Sequence, residues 1–381
     1  MTIHGNSRRK PAKRGERSMR GMHRQGGRAT RNWRVTALGA LLLGLAASFG
    51  SATPAGAQED FKGEELVVVN YGGTFGRFWT QFIIEPFEKR YNAKVSQVQS
   101  LTFDTLAKLR AQKDNPQIDV WLMADQGAVI AKNEGLVEPL SADKVPNLNQ
   151  LVPKARVPGD AYAEFLFVAL ALTYNTEKVK TPPTSWDDLW KPEYKGHVVL
   201  PDINACCGHL LMLKLAALNG GGIDKVDPGF KKLATLKPNV LTFWSSHDQM
   251  ANMLNNGDAW IGVWASDRAG TQVLQGAPVG LAYPQDGTVL FGNGIGMVKG
   301  TKHKALAEKY VNFALDAAQQ TNFHASAVLG PTNKNVKLPD NVQKLMPSGK
   351  ALENSFTPDW EKIAKFTSEW TERWQREITS K

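Results

Sequence analysis

Glu65-Leu-Val-Val-Val-Asn-Tyr71 is an apolar stretch of strand length that stops at Gly72-Gly73-Thr74. A helix-type pattern follows through Phe78, Phe82 and Ile83, with a break or kink at Pro86, because proline lacks the N–H that a helix interior needs. Ala93 to Val98 alternates as a second strand, and Phe103 to Ala111 has helical spacing. Ile118-Asp-Val-Trp-Leu-Met123 is a third strand, and Gln126 to Asn133 a helix closed by Gly135. Strand, helix, strand, helix, strand predicts a parallel sheet with helices on both faces. Ligand sites in such sheets lie outside the carboxyl ends of the strands. That rule selects Tyr71 to Thr74 and Ala124 to Gln126.

A polar, proline-bearing connection runs from Asn147 to Asp160. Phe165 to Tyr174 is apolar and long enough to cross between two lobes. Pro182-Pro183 then stops the chain, and Ser185 caps a short helix with Asp188 in capping-box spacing. Trp186, Leu189 and Trp190 give it one heavy apolar side, Pro192 ends it, and His197 to Leu200 is a buried strand. His209 to Leu218 is apolar nearly all round and predicts a buried helix. Strands are expected at Val240–Trp244, Ala259–Trp264, Gly280–Tyr283 and Val289–Val298, with a helix around Gln249–Leu254. Lys304 to Gln319 predicts one amphipathic helix with Leu306, Tyr310, Phe313 and Ala317 on one face. Thr357 and Pro358 predict the start of a last helix carrying Trp360, Ile363, Phe366, Trp370 and Trp374.

The first residues have a different composition. Arg8 to Arg34 holds eleven Lys or Arg and one acid, Val35 to Gly50 is apolar, and Ala55-Gly-Ala57 is a small-x-small cleavage pattern. This is the pattern of a secretory signal peptide over 1–57, and its apolar run falls short of the ~20 residues of a membrane span. Ser7-Arg8-Arg9 stands far from the apolar run, which favours the general secretory route over the twin-arginine one. Removing the leader leaves 324 of the 381 residues. It also removes the whole excess of +10, because the remainder balances 35 bases against 35 acids. The basic charge therefore carries no case for nucleic-acid binding. A chain of this length exceeds one ordinary core, and two lobes are expected. The two cysteines are adjacent, Cys206-Cys207, so no disulfide framework is expected, although a vicinal bridge between them stays open.

The stretch Ser185-Trp-Asp-Asp-Leu-Trp-Lys-Pro-Glu-Tyr-Lys-Gly196 resembles the segment that opens the second lobe of the bacterial solute-binding proteins of polyamine-type ABC transporters. The likeness extends to Tyr71-Gly-Gly-Thr-Phe75, Glu85-Pro-Phe-Glu88, Lys237-Pro-Asn-Val240, Ile261-Gly-Val-Trp264 and Gly330-Pro-Thr-Asn333. The resemblance implies an α/β, two-lobed periplasmic binding protein of type II, each lobe a mostly parallel sheet flanked by helices, with a hinge of crossing strands. It implies lobe 1 over 58–167 plus 292–334, lobe 2 over 168–291, and a C-terminal helical segment over 335–381. It implies a periplasmic monomer that traps a small organic solute, serves an ABC transporter membrane permease, and needs neither cofactor nor metal.

Candidate ligand contacts follow from position and resemblance together. Tyr71, Gly73 and Thr74 join a strand to a helix N-terminus, where free N–H groups favour a carboxylate; a plain tight turn is the alternative. Asp125 and Gln126 end a strand and serve either a ligand or the cap of the next helix. Trp264 matches a family tryptophan that packs on the ligand's apolar stem. Asp267 and Arg268 follow, and Arg268 suits a bidentate carboxylate unless it only pairs with its neighbour. Asp202, Asn204 and Cys206 form a further helix-start loop. Here the chain departs from the polyamine pattern: two family acids of this loop align with Ile203 and Cys206, a third with Asn293, and its neighbouring tryptophan with Phe291. A buried ammonium without paired charge loses several kcal/mol of hydration. The expected ligand is therefore a small amino- or carboxylate-bearing solute, with a polyamine as the alternative.

Other chemistries are weaker. No Gly-Lys-Ser/Thr follows Gly72-Gly73, and Gly292-Asn-Gly-Ile-Gly296 lacks the dinucleotide spacing and fits a hinge. The histidines from His197 onward show no metal spacing. A cysteine-dependent enzyme on the same fold would use Cys206 or Cys207, with His209 as the nearest base, on a helix expected to be buried. Surface adhesion would want repeats, and the sequence has none.

Overall fold

In the computed structural model, which describes residues 60–380, the first strand β1 (Glu65–Asn70) enters α1 (Gly73–Trp79). Gly73 sits at φ +64°, in the left-handed region that favours glycine. The kink expected at Pro86 is a π-helical turn, Thr80–Ile84, followed by α2 (Glu85–Tyr91) with Pro86 in its first turn. The wider turn absorbs the hydrogen bond that proline cannot donate. Next come β2 (Lys94–Gln99), α3 (Thr102–Ala111), β3 (Val120–Ala124) and α4 (Asp125–Asn133). β1 pairs in parallel with both β2 and β3, as the alternating pattern requires. The leader expected over 1–57 lies outside the described residues.

After a short β4 (Val137–Glu138) the chain crosses the molecule in β5 (Ala163–Asn175). The middle of the chain forms β6 (Val198–Pro201), α5 (Gly208–Leu218), α6 (Asp227–Ala234), β7 (Val240–Trp244), α7 (His247–Asn256), β8 (Ile261–Ala265), α8 (Ser266–Leu274) and β9 (Val279–Ala282). It returns in β10 (Leu290–Val298), then α9 (Lys304–Ala314), α10 (Ala317–Ala327) and β11 (Gly330–Pro331). The strands follow the order β2-β1-β3-β10-β5-β8-β6-β7. The first half of β5 pairs antiparallel with β10 and β11, and its second half with β8 and β9. The sheet is therefore mixed: parallel strands on either side are joined through antiparallel β5 and β10. The described residues form one compact unit.

Ser185 and Asp188 make the expected reciprocal cap: Asp187 N–H donates to the Ser185 hydroxyl at 3.2 Å and Ser185 N–H to Asp188 at 3.1 Å. The turn they cap is a 3₁₀ helix, and its Trp186 is fully buried, donating to Gly287 O at 2.9 Å. Two expected helices differ. Lys304–Gln319 breaks at Leu315, because Asp316 caps a second helix by accepting from Ala318 N–H; Ala317 thus starts α10 and is not on the face of Leu306. The last helix begins after Asp359, whose carboxylate accepts from Lys362 N–H at 3.1 Å, so Thr357 is not its cap. Following α11 (Asp340–Gln343) and α12 (Gly349–Glu353), this helix is α13 (Trp360–Trp374). Its far end packs Trp374 edge-on to Phe243 of β7, at 5.1 Å between ring centres, and ties Arg373 to Asp227 of α6 at 2.9 Å. Its near end meets α4, through Lys132 and Glu361 at 3.1 Å. No helix among the described residues is long and apolar enough to cross a membrane.

Candidate functional site

The starts of α4 and α8, the turn before α5, and the crossing strands β5 and β10 surround a cavity of about 440 Å³. Tyr71, Phe75, Asp125 and Gln126 line it from the first part of the chain, and Cys206, His247, Asp267 and Arg268 from the middle. Phe291 and Asn293 form its floor on β10, and Trp360 of α13 closes one side. Eight of the residues expected from sequence are thus brought together: Tyr71, Asp125, Gln126, Cys206, Asp267, Arg268, Phe291 and Asn293.

The others are placed elsewhere. Gly73 and Thr74 sit just beyond the cavity wall, where the Thr74 hydroxyl accepts from the Arg77 guanidinium at 2.8 Å. Asp202 turns back on its own loop and accepts from Asn204 N–H at 2.9 Å. Asn204 lines a second cavity of about 480 Å³, behind Gln126, Cys206 and Trp360. Trp264 is corrected from ligand platform to support: it is 2 % exposed, and its indole donates to His247 Nδ1 at 2.8 Å. A ring covered on both faces cannot stack on a solute, whereas His247 in front of it can reach one. Ile203 is 1 % exposed and belongs to the core.

Each wall has its own electrostatics. Asp267 and Arg268 start α8, and their carboxylate and guanidinium lie 3.3 Å apart, with Arg268 half exposed to the cavity. Tyr71 donates to or accepts from Thr102 Oγ1 at 2.9 Å, and burial raises its pKa. Asp125 is buried and accepts from Gly292 N–H and from the Trp360 indole, both at 2.8 Å. Beside it lies Glu164, buried on β5, which the sequence reading passed over. Burial first, and then the charge of Asp125, holds the Glu164 pKa well above the carboxylate range. Burial raises Asp125 as well, but bonds from Glu164, Gly292 and Trp360 pull it back. Of the two carboxyls, Glu164 is therefore held the more strongly in its protonated form. The clue in the sequence was a lone acid inside the apolar run Ala163-Glu-Phe-Leu166. Trp360 and His247 carried no comparable sign, since only the docking of α13 and the packing of α7 bring them to the cavity.

Cys206 and Cys207 have their Sγ atoms 2.8 Å apart; Cys207 is buried and Cys206 is exposed to the cavity. The Cys207 thiol first, and then His247, lower the Cys206 pKa to about 6 against the effect of burial. His209, the expected base of a cysteine enzyme, faces the second cavity, and burial holds its pKa at about 4. Among the described residues no group of three or more His, Cys, Asp or Glu could hold a metal ion.

Residues 83–347 match the model of the family described as bacterial extracellular solute-binding protein. The chain is 27% identical over 300 residues to the spermidine/putrescine-binding periplasmic protein of Escherichia coli, covering 75% of this chain and 83% of that one. It is 27% identical over 319 residues to the gamma-aminobutyric acid-binding protein of Pseudomonas aeruginosa, covering 80% of this chain and 87% of that one. A crystal structure of an ABC transporter from Clostridium perfringens superposes with a TM-score of 0.72 at 28% identity, over 82% of this chain and 99% of that one. Matched across most of its length, and with a solute-sized cavity over its crossing strands, this chain belongs to the bacterial extracellular solute-binding proteins.

Proposed function

We propose that the protein is the periplasmic receptor of an ABC transporter, and that it captures a short organic solute carrying both an amino and a carboxylate group. The observation that carries this reading is the pairing of charges in one cavity of about 440 Å³: Arg268 is available to a carboxylate, while Asp267 and Cys206 suit an ammonium. The named relatives support the class, one binding polyamines and one an amino acid with its amine at the far end. In this reading 58–167 with 292–334 and 168–291 are two lobes that close on the solute, β5 and β10 are the hinge, and 335–381 rides on both. The leader over 1–57 sends a monomer to the periplasm, where it hands its solute to a membrane permease without changing it.

The test is thermal unfolding of the 58–381 protein against amino acids with terminal amines, organic acids, putrescine and spermidine. A ligand at ~100 times its Kd raises stability by about 2.7 kcal/mol. A shift with the amino acids that Arg268→Ala abolishes supports the reading. A shift with putrescine or spermidine alone transfers the assignment to polyamines.

A further inference from the structure

Trp264, His247, Cys206 and Cys207 form a relay at the edge of the cleft. The Trp264 indole can only donate, so His247 Nδ1, 2.8 Å away, is the acceptor. The proton of a neutral His247 then sits on Nε2, which is free to donate to the Cys206 sulfur; His247 is among the partners that favour the Cys206 thiolate. On its other side Cys206 meets the Cys207 sulfur at 2.8 Å. Burial first, and then Cys206 itself, drive the Cys207 thiol in the opposite direction, upward. One sulfur is thus a thiolate open to the cleft, and the other a buried thiol within reach of it. Both lie at the turn that leads into α5, with Cys207 as its N-cap, whose carbonyl accepts from Leu211 N–H at 2.9 Å. The titratable neighbours are His247 from α7 and Asp267 from α8, the second opposing the thiolate.

We propose that Cys206 and Cys207 form a thiol–disulfide exchange site inside the cleft, with Cys206 attacking a small external disulfide and Cys207 resolving the adduct. The Cys206 thiolate bonds to one sulfur of the external disulfide, whose S–S bond breaks and releases one thiolate. Cys207 gives its proton to that thiolate, attacks the Cys206 sulfur and expels the second half, which takes a proton from water. Two protein thiols become one disulfide, and the external disulfide becomes two thiols. Pairing removes a negative charge beside Asp267, so the oxidised cleft holds an ammonium more weakly. That consequence rests on the proposed solute; the exchange chemistry does not.

The probe is oxidised glutathione, added to the reduced 58–381 protein and followed by intact mass and peptide mapping. The wild type should end as a form lighter by two hydrogens, with no lasting glutathione. Cys207→Ser should stop at a glutathione adduct on Cys206, and Cys206→Ser should not react. The wild-type first step should run about two- to threefold faster than a free thiol at pH 7, because the gain in thiolate outweighs its lower intrinsic nucleophilicity, and stay flat from pH 7 to pH 9. No adduct on Cys207→Ser, a permanent adduct on the wild type, or a rate that climbs through pH 9 would each overturn the site. Silence of the solute panel beside normal exchange would sink the proposed ligand class and leave the exchange site standing.

Discussion

Trp360 donates its indole N–H to the Asp125 carboxylate at 2.8 Å, across 235 positions of sequence. The contact pins the first turn of α13 to the first turn of α4, while the other end of α13 is fixed to α6 and β7 by Arg373 and Trp374. One helix therefore spans both sides of the cleft. Trp360→Phe keeps an aromatic ring at this position and removes the donor. A hydrogen bond to a charged group, partly shielded from water, contributes about 1.5 kcal/mol. The variant should lose about that much in urea unfolding with an unchanged m-value; an unchanged midpoint would mean that α13 is held by packing alone.

Glu164→Gln tests the buried carboxyl pair. The folded pKa of Glu164 lies well above its ordinary 4.5. The folded protein therefore keeps a proton that the unfolded chain releases as pH rises through 4.5. Stability from this group is complete below pH 4.5 and falls as pH rises toward the folded pKa, by up to about 1.4 kcal/mol per pH unit. Gln is neutral at every pH and can still donate to Asp125. Denaturation between pH 5 and 8 should show the wild type weakening with pH and the variant following a flatter line. Parallel lines would refute the shared proton.

The alternation of strands and helices and the strand-end position of the cavity were legible because strand and helix periods differ, and because ligand sites follow strand ends; the strand order was not. Tyr71, Asp125, Gln126 and Arg268, selected by that rule or by the family likeness, line the cavity. Trp264 was misjudged because a tryptophan at a strand end has the same sequence signature whether it faces the cleft or stands 2 % exposed behind His247. Asp316 splits a helix whose apolar spacing runs on through the break. Glu164 showed only as a lone acid in an apolar run, and Trp360 matters through a partner on another element that no local pattern encodes.

Two histidines should set the acid limit. Burial lowers the His209 pKa to about 4 and the His324 pKa to about 3. Both are neutral in the folded protein at pH values where the unfolded chain already carries the proton. Their stability contribution is complete above pH 6.5 and is lost as pH falls toward 4, at up to about 1.4 kcal/mol per pH unit for each. His324 lies between Phe165 and Phe323, with ring centres 5.0 and 5.7 Å away, so leucine suits its surroundings. His324→Leu should fold and lose stability less steeply between pH 6.5 and 4. An acid slope equal to that of the wild type would show that His324 is not buried neutral.

Gly292 is where the two carboxyls and the crossing strands meet. Its N–H donates to Asp125 at 2.8 Å. A Cβ at this position would stand 2.5 Å from Leu166 O, 2.9 Å from Glu164 Oε2 and 3.4 Å from Asp125 Oδ1. The nearest atom is backbone on β5, so the strain cannot be relieved by turning a side chain. Gly292→Ala must push β10 from β5 at the cleft floor, next to Phe291 and Asn293. Overpacking of this kind costs about 1–3 kcal/mol. Gly222 is the control, because a Cβ there meets nothing within 4 Å and its φ is not positive. Gly222→Ala should stay within about 0.5 kcal/mol of the wild type. Gly292→Ala should fall by about 2 kcal/mol in urea unfolding and weaken any solute from the panel at least tenfold. Equal midpoints for the two variants would show that β5 and β10 can part freely at this position, as a loose hinge would allow.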